Sequence, residues 1–128
     1  MKETIKLTLI SCCLFLLFTI NSCDLFDSNK HLIGSYYLKH DKFGKAICYK
    51  ADESGDCVEL INGVFGKIGF DDNYIIVQQS QYDYLIIPVC KKFTYFPEKG
   101  IIGPLNLIEF NKQKLKLNIR ADFTINSN

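Results

Sequence analysis

The side chains best suited to covalent chemistry in this chain are its six cysteines, at positions 12, 13, 23, 48, 57 and 90. A thiol acts as its thiolate: it takes up an acyl or alkyl group, bridges to a second thiol, or ligates a metal. A metal needs three or four ligands closely grouped, yet there is no C-x-x-C pair, no H-x-x-x-H, and His31 and His40 are the only histidines. No metal site and no cofactor are expected on that pattern. As a nucleophile Cys90 would need a base beside it, and both histidines are distant in sequence. Cys48 and Cys57 flank one polar loop on segments that suit antiparallel neighbours. Their Cα atoms can then come within the roughly 4.4–6.8 Å that a disulfide needs; the alternative is two buried free thiols.

The acidic residues read less sharply. Asp52, Glu53, Asp56 and Glu59 cluster around that same loop. General acid–base work needs two carboxyls facing a cleft, whereas these suit a solvated hairpin tip. Asp71-Asp72-Asn73 lacks the alternating acids, the glycine and the closing Glu of a calcium loop, and turn chemistry accounts for it. With no glycine-rich phosphate loop and no G-x-S-x-G elbow, no catalytic set is expected and the chain is read as a non-enzyme.

Cys23 is different because of what precedes it. Residues 1–6 form a short, net-positive start, and residues 7–20 are 14 consecutive residues without a charge. A helix needs about 20 apolar residues to cross the hydrocarbon core, so this run suits a secretory signal better than a permanent span. It ends in Ile20-Asn21-Ser22-Cys23. That tetrapeptide resembles the lipobox of bacterial lipoproteins, with an aliphatic residue at Ile20, a small one at Ser22, and a modest departure at Asn21. The resemblance implies a diacylglycerol on the Cys23 thiol, cleavage between Ser22 and Cys23, and in many bacteria a further acyl chain on the new amine. Two or more acyl chains hold a protein to a membrane, where one myristoyl chain binds only marginally. In some bacteria Asp24, directly after such a cysteine, retains the protein at the inner membrane. In others nearby acids mark export, and the abundant Lys, Asn and Ile favour that second group, hence the outer membrane or cell surface.

The elements that must follow are a signal peptide at 1–22, the lipidated cysteine and a polar tether at 23–31, and one small β-rich domain at 32–128. Removing Lys2, Lys6 and Glu3 from the chain's 15 basic and 14 acidic residues leaves 13 of each beyond the cut. A neutral domain without a basic stripe excludes nucleic acid as an expected partner. About 100 residues support a single core without metal.

Strand signals dominate this domain, over residues 33–40, 45–50, 57–61, 64–70, 74–79, 82–89 and, as a shorter edge strand, 91–96. Asn62-Gly63 suits a two-residue hairpin turn. The runs Ile75-Ile76-Val77 and Leu85-Ile86-Ile87 imply strands covered on both faces. Gly66 and Gly69 mark a kink or a close backbone approach within a strand. Asn106 and Glu109 form a capping box, and Leu105 with Phe110 a hydrophobic staple, so a helix is expected over 107–116. The expected architecture is α+β but mainly β: an antiparallel meander of about five to seven strands with one C-terminal helix. The tyrosines at 36, 37, 49, 74, 82, 84 and 95 fall in or beside strands, where they serve as sheet packing or as a binding face.

Residues 64–79, Tyr84-Leu85-Ile86-Ile87, and Gly103-Pro104-Leu105 with Glu109-Phe110 are similar in order to a family of small bacterial lipoproteins known as a domain of unknown function. That resemblance covers about 64–117 and implies an envelope location and a small sheet with a helix after Gly-Pro-Leu. It carries no catalytic residue. The functional expectation is a membrane-anchored binding or interaction module of the cell envelope, partnering another envelope or secreted protein. The alternatives are a structural or accessory lipoprotein and a small hydrolase.

Overall fold

A computed structural model describes residues 28–41, 44–51, 56–63 and 65–126. The signal run, Ser22, Cys23 and the first part of the tether lie outside the described residues, as do Asp52 and Glu53. Among the described residues the chain forms nine strands and one helix, in two antiparallel sheets. The first sheet takes β1 (Ser28–Ile33), β2 (Tyr36–Asp41), β3 (Gly44–Tyr49) and β4 (Val58–Gly63) in sequence order. The second contains β5 (Lys67–Phe70), β6 (Tyr74–Gln78), β7 (Tyr84–Pro88), β8 (Ile102–Leu105) and β9 (Ile125–Asn126), ordered β8-β7-β6-β5-β9. The helix α1 spans Leu107–Lys116.

The mainly β, antiparallel character and the single helix are as the sequence predicts; the division into two sheets is not. Asn62-Gly63 makes no hairpin. β4 runs on through both residues, with Asn62 opposite Ala46 and Gly63 opposite Lys45. Beyond Gly63, at φ +115°, the chain leaves the first sheet and buries Phe65 in the core. The gain from burying an aromatic ring between two sheets outweighs a local turn preference.

One cluster fills the space between the sheets. Leu32, Tyr36, Leu38, Ile47, Tyr49 and Ile61 come from the first, and Ile68, Ile75, Val77, Leu85 and Ile87 from the second. The alternate residues of the second sheet, Ile76, Tyr84 and Ile86, pack with Phe110, Ile119 and Ala121 on its other face. Those two layers are why residues 75–77 and 85–87 are apolar without alternation. Under α1, Tyr84 stacks on Phe110 at 4.7 Å and Phe123 lies 5.9 Å from Phe110.

α1 begins where its caps put it. The Asn106 side chain accepts from the Glu109 N–H, and Glu109 accepts in return from the Asn106 N–H. Among the described residues no helix is long and apolar enough to cross a membrane.

Two further expectations change. Residues 28–31, read as tether, pair with β2 as an edge strand; Asn29, Lys30 and His31 are all exposed, so no apolar alternation marks the strand in the sequence. Residues 91–96 form no strand. The edge beside β7 is instead β8, which contains Gly103 and Pro104. Proline lacks an N–H to donate and is tolerated on an edge strand, so Gly-Pro does not stop the ladder here.

Cys48 and Cys57 are joined by a disulfide, their Cα atoms 5.4 Å apart. The bridge ties the penultimate residue of β3 to the residue before β4 across nine positions. Closing so short a loop lowers the entropy of the unfolded chain, a stabilisation of about 2–3 kcal/mol. Cys48→Ala/Cys57→Ala is expected to lower the denaturation free energy by that amount. The check is a urea titration with and without reductant: reductant should shift the parent and leave the double variant unmoved.

Candidate functional site

Among the described residues, those between β7 and β8 form the most exposed aromatic feature. Phe93, Tyr95 and Phe96 are 54%, 81% and 55% exposed. Large rings left in water within four residues of one another are unusual on a folded domain unless something covers them. The Phe93 and Tyr95 rings meet edge to face at 4.6 Å. Lys99 Nζ sits 4.4 Å over the Phe96 ring, a contact in which the cation faces the electron-rich ring.

Two buried tyrosines hold this loop in place. Tyr36, 0% exposed, sits on β2 with its ring 5.3 Å from that of Tyr49 on β3. Its hydroxyl donates to the Pro88 carbonyl at 3.2 Å and accepts from the Cys90 N–H at 3.0 Å. The Tyr49 hydroxyl accepts from the Thr94 N–H at 3.4 Å. The Lys91 ammonium donates to the Asp72 carbonyl in the β5–β6 turn. The first sheet therefore positions a loop that belongs to the second. Burial, reinforced by the hydrogen bond to the Cys90 side chain, pushes the Tyr36 phenol well above the usual tyrosine range, so it stays a neutral donor.

Tyr36→Phe would leave the Pro88 carbonyl and the Cys90 N–H without that partner. The expected cost is about 1–3 kcal/mol, with faster hydrogen exchange at Cys90. Unchanged exchange there would show that the hydroxyl does not secure the loop.

The sites expected from sequence fall as follows. Cys90 is the free cysteine among the described residues and is half-buried beside Tyr36. His40 lies at the far end of β2, opposite Ser28. The His31 ring packs 5.1 Å from Tyr37, and its Nε2 donates to the Gly34 carbonyl. No nucleophile–base pair is formed from these groups. Among the described residues no three His, Cys, Asp or Glu side chains gather to hold a metal ion. Tyr36, Tyr49 and Tyr84 are core, Tyr37 and Tyr74 half-buried, and Tyr82 and Tyr95 exposed.

Asp71 proves to be more than a turn residue. Its Oδ1 accepts from the N–H groups of Asn73 and Tyr74, both at 2.8 Å. Its Oδ2 accepts from Arg120 at 2.8 Å and Ala121 at 3.2 Å. Burial acts to raise its pKa, but the four N–H donors outweigh burial and hold it below the ordinary 3.8. The role is structural: it fastens the chain beyond α1 to the β5–β6 turn.

No protein-family model, curated protein or solved structure matches this chain. A second apolar stripe, Leu107, Ile108 and Leu115, is exposed along α1, and a shallow cleft lined by Asn111, Lys114, Leu115 and Ile119 borders it. It lacks the dense aromatics of the 93–96 loop. Phe93 and Phe96 were missed because residues 91–96 read as an edge strand, in which alternate rings would pack inward; three aromatics beside three lysines between Cys90 and Gly100 was the available signal.

Proposed function

We propose that this chain is a lipid-anchored binding module of the bacterial cell envelope. The observation that carries the reading is the exposed ring cluster Phe93, Tyr95 and Phe96 on a backbone tied down by Tyr36 and Tyr49. Fixed aromatic side chains supply large contact area with little entropy left to lose, which is why such residues dominate binding energies at interfaces. The anchor comes from the apolar run and Ile20-Asn21-Ser22-Cys23. The Cys48–Cys57 bridge supports export, since disulfides persist in oxidising compartments.

The test uses the full chain in a bacterial host. Metabolic palmitate labelling should mark the parent protein and be lost in Cys23→Ser, which should also leave the membrane fraction. In intact cells a chemical cross-linker should trap a discrete adduct that Phe93→Ser/Phe96→Ser abolishes, while the Cys48–Cys57 bridge still forms. A parent protein without label, or an adduct pattern indifferent to the two serines, would count decisively against this reading.

A further inference from the structure

The sandwich has two ends, and the chain's entry and the aromatic loop lie at opposite ones. β1 starts at Ser28, opposite His40, and finishes at Ile33, opposite Tyr36. Tyr36 and Tyr49 are neighbours at that second end, and their hydroxyls hold Cys90 and Thr94. The six residues of β1 span five steps between the ends, which at roughly 3.3 Å per step is about 17 Å. The path from Cys23 to Ser28 is five residue steps and reaches at most about 17 Å when extended. The tether is about as long as the strand, and it joins the domain at the end opposite the loop. Tyr82, 73% exposed, lies in the turn between β6 and β7, on the same side as Gln78 and Tyr84. It lies at the end of β7 away from Pro88, which is bound to Tyr36 at the loop end.

The charge around the rings is net positive. Lys91, Lys92 and Lys99 stand against Glu98 within the loop, while the rest of the chain from Cys23 onward carries 10 basic and 12 acidic residues. Exposed aromatics ringed by ammonium groups match a surface with an apolar hollow and carboxylates around it, and such charge complementarity selects partners and speeds encounter.

We infer that the Phe93–Tyr95–Phe96 loop is the docking surface for an acidic protein that approaches at the end of the sandwich opposite the chain's entry. The inference rests on the reading of the chain as an anchored binding module and adds the partner's chemistry and direction. The rings enter the partner's hollow, and Lys92 and Lys99 face its carboxylates. Lys91 is already engaged with the Asp72 carbonyl and serves to hold the loop.

The experiment places a photo-reactive phenylalanine in the full-length protein in intact cells, either as Tyr95→benzoylphenylalanine or as Tyr82→benzoylphenylalanine. The Tyr95 probe should give a discrete protein adduct and the Tyr82 probe should not. Adding Lys92→Glu/Lys99→Glu should cut the Tyr95 adduct about tenfold or more, and raised salt should weaken it. Both lysines are on the surface, and formation of the Cys48–Cys57 bridge reports that the variant still folds. Lipid adducts at Tyr95 would make the leaflet the occupant and overturn the inference. So would a protein adduct at Tyr82 instead, or one indifferent to the charge reversal; both leave the binding reading standing. Absence of any protein adduct from either probe would overturn both.

Discussion

Adding one methyl group at Gly69 is expected to destabilise the domain by more than about 3 kcal/mol, a large part of the 5–15 kcal/mol typical of a single domain. A Cβ built there falls 2.0 Å from the Asp122 carbonyl oxygen, 2.6 Å from its carbon and 3.2 Å from Phe123 Cα. All three contacts are with backbone, so no side chain can rotate out of the way. The chain beyond α1 must instead lift from β5. That motion breaks the bond from the Thr124 N–H to the Ile68 carbonyl at 3.0 Å and the pairing of β5 with β9. It also loosens Ile119, Ala121 and Phe123 from the layer under the helix. Gly69→Ala should therefore yield little folded protein, or protein whose Thr124 amide exchanges freely. Gly66→Ala is the control: its nearest neighbour would be the Gln78 carbonyl oxygen at 3.4 Å, so its effect should be small. Equal denaturation midpoints for the two variants would refute the close approach as the cause.

Asp71→Ala is expected to cost about 2–4 kcal/mol at neutral pH, because four backbone N–H groups lose a charged acceptor at once. Asp71→Asn should lie between. One amide oxygen can still close the turn to Asn73 and Tyr74, but its NH2 then faces the donors of Arg120 and Ala121. The pH dependence has a definite sign. The folded-state pKa lies below 3.8, so the carboxylate's contribution is full above the unfolded value and is lost as pH falls through the folded one. Thermal melts from neutral pH downward should fall more steeply below about pH 4 for the parent than for Asp71→Ala. Parallel curves would show that Asp71 is not the group responsible.

Both residues fasten the same feature, the segment that follows α1, and this bears on how much was legible beforehand. Helix α1 was readable to the residue, since the bonds that start it join Asn106 to Glu109, three positions apart. The turn at Asp71 was readable for the same reason, as its partners Asn73 and Tyr74 are two and three positions away. The reciprocal half of that carboxylate's work was not: Arg120 and Ala121 lie 49 and 50 positions along. The candidate surface follows the same rule. Its rings and lysines are plain in the sequence, but the bond that fixes the loop joins residues 54 apart, and nothing local marks Tyr36 as its anchor rather than another core tyrosine.

The amino-acid sequence by itself determined the apolar N-terminal run with its cysteine, the helix, the Asp71 turn and the two-sided burial of β6 and β7. Each depends on side-chain spacing or on hydrogen bonds that close within one turn of chain. Tertiary structure decided that β4 and β5 belong to different sheets, that Gly-Pro lies inside an edge strand, that Gly69 must remain bare, and that Phe93, Tyr95 and Phe96 stay in water. Those outcomes turn on which distant surfaces meet. A local preference worth a fraction of a kcal/mol, such as that of Asn62-Gly63 for a hairpin, yields when burying a ring like Phe65 is worth about 2 kcal/mol or more.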